Sequence, residues 1–187
     1  MLTGRTGAQG PREGRPTREN TMNGAHLHLL VNHVPVVGAI FAALLLAWML
    51  LRGRAEGRRV ALAGLLVVAL ASLPAYFSGE PAEEAIEHQP GVEERRIETH
   101  EAAAKFALAA ALVTGVVALV GLAMFRKREP AMGFLVLALG LNLASIGLFA
   151  RAANLGGEIR HPEIRAGAPA PAAASGTEAK ETEGDHD

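Results

Sequence analysis

The sequence predicts an all-α membrane protein, a four transmembrane helix bundle with both termini outside. Two observations carry that prediction. Four runs of 19 to 23 residues contain no Asp, Glu, Lys or Arg, and the connections between them alternate between basic and acidic. A helix needs about 20 apolar residues to cross roughly 30 Å of hydrocarbon, so each run is long enough to span. A buried helix of a water-soluble domain is usually shorter and keeps a polar face. The whole-chain averages, a net charge of −1 and 20% charged residues, hide this segregation.

The runs are Leu29 to Leu51, Val60 to Ser78, Phe106 to Phe125 and Met132 to Ala150, the last reaching 131–153 with its flanks. Together they define one transmembrane domain over 26–165. The first connection, Arg52 to Arg59, has four basic residues against Glu56, and the third, Arg126-Lys127-Arg128-Glu129, has three against one. The second, Glu80 to Glu101, carries eight Glu with only Arg95 and Arg96. Basic loops stay on the cytoplasmic side. The first and third connections therefore face in, while the middle loop and both termini face out. A bacterial inner membrane, with the termini in the periplasm, is the simplest setting. Residues 1–25 read as an extension, either a disordered arm or a stretch upstream of a start at Met22. The acidic tail, 166–187, is too rich in Ala, Pro, Gly and Glu to bury a core and reads as disordered.

Several chemistries are excluded. With no cysteine there is no disulfide scaffold, thiolate zinc site, cysteine-ligated cluster or cysteine nucleophile. Near-zero net charge argues against nucleic acid as a partner. Phosphate-binding glycine loops, nucleophile elbows, zincin helices and EF-hand loops are all missing. Only Asn142 and Ser145 are polar at mid-membrane, which suits hydrogen bonds between helices better than ion conduction. Gly64, Gly115, Gly121, Gly140 and Gly147 allow close helix packing, within one chain or in a homo- or hetero-oligomer.

The candidate chemistry lies in the histidines. All seven (His26, His28, His33, His88, His100, His161 and His186) fall in segments predicted to lie outside or to flank the outer ends of the spans. His28 and His33 open the first span in His28-Leu-Leu-Val-Asn-His33-Val-Pro35. At i, i+5 they diverge by about 140° on one helix. A break near Pro35 would turn His28 back toward the bundle. His33 sits just inside the apolar run, where a polar side chain is expected to point inward and find a partner. His100 precedes the third span at a similar depth, so His33 and His100 are the first-choice pair. They suit a b-type haem iron, a quinol oxygen or a metal, with His28 and His161 as the second choice.

Other features admit a plainer reading. Glu101 and Lys105 are an i, i+4 helix pair. In the middle loop, Pro81 opens a short helix that would carry Glu84 and His88 four apart. The pair Gly156–Gly157 fits a left-handed helix cap, with Arg151 complementing the dipole. The functional alternative is that the glycines admit a flat cofactor to the backbone, with Arg151 on its propionate or on an anionic headgroup.

At His28-x4-His33-x-Pro35 the chain resembles the bacterial membrane family called domain of unknown function 2231. Its members open their first helix on a His-Pro-x-x-Val-His-Phe-Pro pattern, have a histidine before the third span and a Gly-Gly pair after the fourth. The matching positions are His28, His33, Pro35, His100, Gly156 and Gly157, over residues 26–165. Leu29, Val34 and the segment Glu158-Ile-Arg160-His161 depart from the pattern. Some members resemble partners of Rieske-type or cytochrome proteins, so the resemblance implies a redox role with a soluble partner at the outer face.

The expected function is a membrane protein with an outward-facing histidine site, binding b-type haem or quinol in electron transfer. It would serve a periplasmic redox protein and would not be an independent enzyme. The competing expectations are a non-catalytic scaffold or assembly subunit, and a divalent-metal binder using the histidines with Glu101 or Glu158.

Overall fold

The computed structural model describes residues 24–167, and the expectations for residues 1–23 and 168–187 lie outside them. The described chain is helical: α1 (Gly24–Val31), α2 (His33–Arg52), α3 (Ala55–Phe77), α4 (Gly79–Glu84), α5 (Glu94–Met124) and α6 (Met132–Arg160), followed by a 3₁₀ turn at Pro162–Ile164. Four apolar stretches, Gly24–Arg52, Ala55–Glu84, Glu94–Met124 and Met132–Arg160, are long enough to cross a membrane. Only 28–33% of each stretch's most apolar window is buried inside the chain. The remainder, including Phe41 at 67% exposure and Leu51 at 82%, needs an apolar surrounding. The protein is therefore a multi-pass membrane protein whose helices face lipid.

The helices alternate in direction and pack in a closed square. α2 meets α3, α3 meets α5, α5 meets α6 and α6 returns to α2. Two short connections close one end: Gly53–Arg54, in extended conformation, and residues 125–131. The long crossing and both ends of the described chain share the other end. Alanine dominates the seam (Ala39, Ala42, Ala61, Ala107, Ala111, Ala118, Ala138), with Leu46, Leu62, Leu65 and Leu135 between. Between lipid-immersed helices the gain comes from close contact and hydrogen bonds, since lipid is as apolar as leucine. Gly115 abuts Ala69, and Gly121 abuts Phe134 and Leu62; neither position has room for a Cβ. Gly64, Gly140 and Gly147 have no neighbour within 4 Å of such an atom, so they do not close this bundle. Asn142 donates to the Ala39 carbonyl at 2.9 Å, and Thr114 and Ser145 share a 3.2 Å hydrogen bond. Asn142 and Ser145 thus both join helices, the latter through Thr114.

Three local expectations are corrected. The glycine pair does not end the fourth helix. α6 continues to Arg160, and neither Gly156 nor Gly157 has positive φ. The expected cap failed because a helix tolerates interior glycine when the missing Cβ makes room for a neighbour. Glu84 and His88 do not share a helix: α4 ends at Glu84 and His88 lies 3.1 Å from Glu87. His33 does not point inward; it is exposed and bonds the Leu29 carbonyl of the preceding turn at 3.0 Å. The helical ladder loses one hydrogen bond at Asn32, near Pro35, whose missing N–H leaves the Val31 carbonyl without its helical partner, while the backbone of Asn32 stays helical. α1 then packs on α4.

At the open end α5 starts twelve residues before Phe106, an overhang of about 18 Å above the apolar run. α6 overhangs by seven residues past the expected 153. His100 stands on the α5 overhang and His161 just past the end of α6, while His26 and His28 lie on α1, His33 opens α2 and His88 lies in the crossing.

Candidate histidine site

His100 is the best-anchored imidazole. From α5 its Nδ1 lies 2.9 Å from the Ala152 carbonyl of α6. A carbonyl only accepts, so Nδ1 carries the proton and, in the neutral ring, Nε2 carries the lone pair. The ring lies against Gly156: a Cβ there would stand 3.0 Å from Cε1 and 3.1 Å from Nδ1. The flat group admitted by Gly156 is thus the protein's own imidazole. Gly157 likewise makes room for Ile164, 3.2 Å from its Cβ position.

His28 is fixed differently but to the same effect. Its Nδ1 is 2.9 Å from Ser78 Oγ, and that hydroxyl spends its proton on the Ala75 carbonyl at 2.9 Å. Ser78 therefore accepts from His28 Nδ1–H, again leaving the lone pair on Nε2. His33, bonded to Leu29, and His161, whose Nδ1 lies 2.8 Å from Glu163, are also Nδ1–H donors. Hydrogen bonds from His28 and His100 cross between helices, whereas those of His33 and His161 stay local. The first-choice pair of His33 and His100 is therefore joined by no hydrogen bond. Glu163, in the turn after α6, has its carboxyl held below the usual glutamate range by its own backbone N–H and then by His161.

A buried acceptor belongs to the same end. Asn32 Oδ1 is buried and has no hydrogen-bond partner among the described residues. Asn142 meets Ala39 in this antiparallel pair, so seven residues outward on each helix set Asn32 opposite Phe149, within a turn of Ala152. Asn32, Ser78 and the Arg96 network below were not singled out from sequence as site residues. The proline three residues on was the one available signal for Asn32.

Several of the charges beside these imidazoles are paired. Arg96 lies 3.2 Å from Glu93 and from Glu158, whose other oxygen accepts from Asn154 at 2.8 Å. Arg165 bonds Glu93 at 3.0 Å and the carbonyls of Glu158 and Ile159 at the end of α6. Glu101 is held by Lys105 at 3.1 Å. Both carboxylates expected to help bind a metal are thus engaged, and among the described residues no three His, Asp or Glu side chains form a metal-binding group. Arg151 is exposed, and no hydrogen bond or ion pair joins it to another described residue. A cavity of about 170 Å³ lies beside the site, lined by Arg95, Arg96, Thr99, Leu155 and Glu158.

Chemically this end offers neutral acceptors: two imidazole lone pairs anchored across helices and one unpaired amide oxygen. No family model, no curated protein and no solved structure matches this chain.

Proposed function

We propose that the histidine end is a quinol headgroup site, and that the protein passes electrons from the membrane quinol pool to a soluble redox protein. The observation that carries this reading is the pair of imidazoles anchored through Nδ1, which leave His100 Nε2 and His28 Nε2 as acceptors at the open end of the bundle, with the unsatisfied Asn32 Oδ1 buried at the same end. A quinol presents hydroxyl donors, which these groups accept. Oxidation of a quinol releases two electrons and two protons. The imidazoles take the protons, with each Nδ1–H already held by an oxygen that stabilises the resulting imidazolium. The electrons pass to the partner, so the chain binds and positions and is not an independent enzyme. The acidic crossing, Glu80 to Glu101, favours a partner with a basic docking face.

A b-type haem on the same histidines is the second reading, supported by the Nδ1–H to carbonyl bonds of His100 and His33, which orient a ligating imidazole. The cavity of about 170 Å³ is lined by none of the histidines and so lends this second reading no further support. Basic connections at the closed end support a bacterial inner membrane location with the termini outside. The order His28, His33, Pro35, His100, Gly156–Gly157 supports kinship with domain of unknown function 2231.

The test is to purify the full chain in mild detergent, extract bound quinone and record a reduced-minus-oxidised spectrum. We expect near-stoichiometric quinone, lost in His100→Ala and His28→Ala, and no Soret band. A Soret band lost in His33→Ala or His100→Ala would replace quinol by haem. Absence of both would leave the scaffold reading.

A further inference from the structure

The closed end of the bundle carries Arg52, Arg54, Arg58, Arg59, Arg126, Lys127 and Arg128 against only Glu56 and Glu129. The sequence places these charges in two separate connections; the fold makes them one surface. Arg59 of α3 donates from Nε to the Phe125 carbonyl and from Nη2 to the Arg128 carbonyl, each at 3.0 Å. Arg58 reaches the Met49 carbonyl and lies 3.5 Å from Glu129. Arg59 thus clamps the 125–128 backbone against the start of α3 and presents three further cations beside Arg54.

Such an accumulation is repulsive unless an anion joins it. Arg54, Arg126, Lys127 and Arg128 are exposed, and no ion pair joins their side chains to the described residues. Their height is that of lipid headgroups. Arg52 stacks over the Trp48 ring at 5.4 Å from its centroid, Trp48 itself being 55% exposed on the apolar face. Tryptophan prefers the membrane–water boundary, which fixes the level of the adjoining cations.

We propose that this end is a binding site for anionic phospholipid headgroups, with Arg54, Arg126, Lys127 and Arg128 as the phosphate-binding cations and Arg59 as the positioning residue. Each cation near an anionic membrane surface adds about fivefold to its attraction, less as salt screens it. The site does not depend on what the histidine end binds.

The test is lipid selection by the full chain. The protein is reconstituted into bilayers with equal parts phosphatidylcholine and phosphatidylglycerol, extracted in mild detergent, and its retained lipids are weighed by native mass spectrometry. Wild type should retain phosphatidylglycerol over phosphatidylcholine in a ratio of at least about ten to one, against one to one in the bulk bilayer. Arg126→Gln/Lys127→Gln/Arg128→Gln should return the ratio to bulk. Arg126→Lys/Arg128→Lys should keep the preference, and Arg160→Gln at the other end should leave it unchanged. Should the triple variant lose helical circular dichroism, Arg54→Gln alone should lower the preference about fivefold. Wild type retaining the two lipids equally, or a folded triple variant retaining the wild-type preference, would overturn the proposal.

Discussion

The two ends of this bundle handle charge in opposite ways. At the closed end, two short connections are tied by a single arginine, Arg59, that donates to two backbone carbonyls and leaves its neighbours' charges open. At the open end, extended helices carry glutamates that pair with Arg96, Arg165 and Lys105 beside imidazoles anchored across helices. The difference teaches that charge count alone does not locate a site. An excess of cations marks one end, whereas hydrogen-bond acceptors anchored across helices are the distinctive chemistry of the other.

The largest effect should come from breaking the clamp. Arg59→Gln removes two charge-assisted hydrogen bonds and should cost about 3 kcal/mol of stability, measured by thermal unfolding in detergent. A negligible loss would show that the two basic connections are held independently. Next, Gly156→Leu should push the His100 ring from the Ala152 carbonyl, cost about 2 kcal/mol by overpacking and deplete bound quinone. Wild-type quinone content in that variant would remove His100 from the site.

Asn32→Leu sharpens the contrast with a change of sign. It deletes a buried acceptor without a partner and should stabilise the protein by about 1 kcal/mol while weakening quinone binding. Destabilisation would mean that this oxygen is already satisfied. The smallest effect concerns Glu163, whose carboxyl is depressed in the folded chain. Its stabilising contribution is present above the ordinary glutamate range and is lost as pH falls through the depressed value. Glu163→Gln should therefore flatten only the acid limb of a stability-against-pH curve. A change confined to neutral pH would contradict this assignment.

Much of the architecture was legible because span length and loop charge are local properties of the chain. Four apolar runs and the alternation of basic and acidic connections are visible without knowing any contact. The hydrogen bond lost near Pro35 was legible too, since proline carries its effect in its own ring, but the backbone there stays helical. The candidate site was only partly legible. His28 and His100 were named, but His33 was placed first because its position in the apolar run called for an inward partner. A carbonyl one turn back, Leu29, satisfied it locally instead. Gly156–Gly157 was misread as a cap because interior and terminal glycines look alike until the neighbouring helix is placed.

Sequence alone determined that the chain spans a membrane four times, which connections share an end, and that the histidines gather at the other. Those follow from hydrophobic run length and charge, summed along the chain. Tertiary structure decided which acceptor each imidazole meets, with Ser78 fifty residues from His28 and Ala152 fifty-two from His100. It also decided that one arginine merges two basic loops. Such pairings depend on helix register and rotation, and a shift of one residue turns a side chain by about 100° and sends it to a different neighbour.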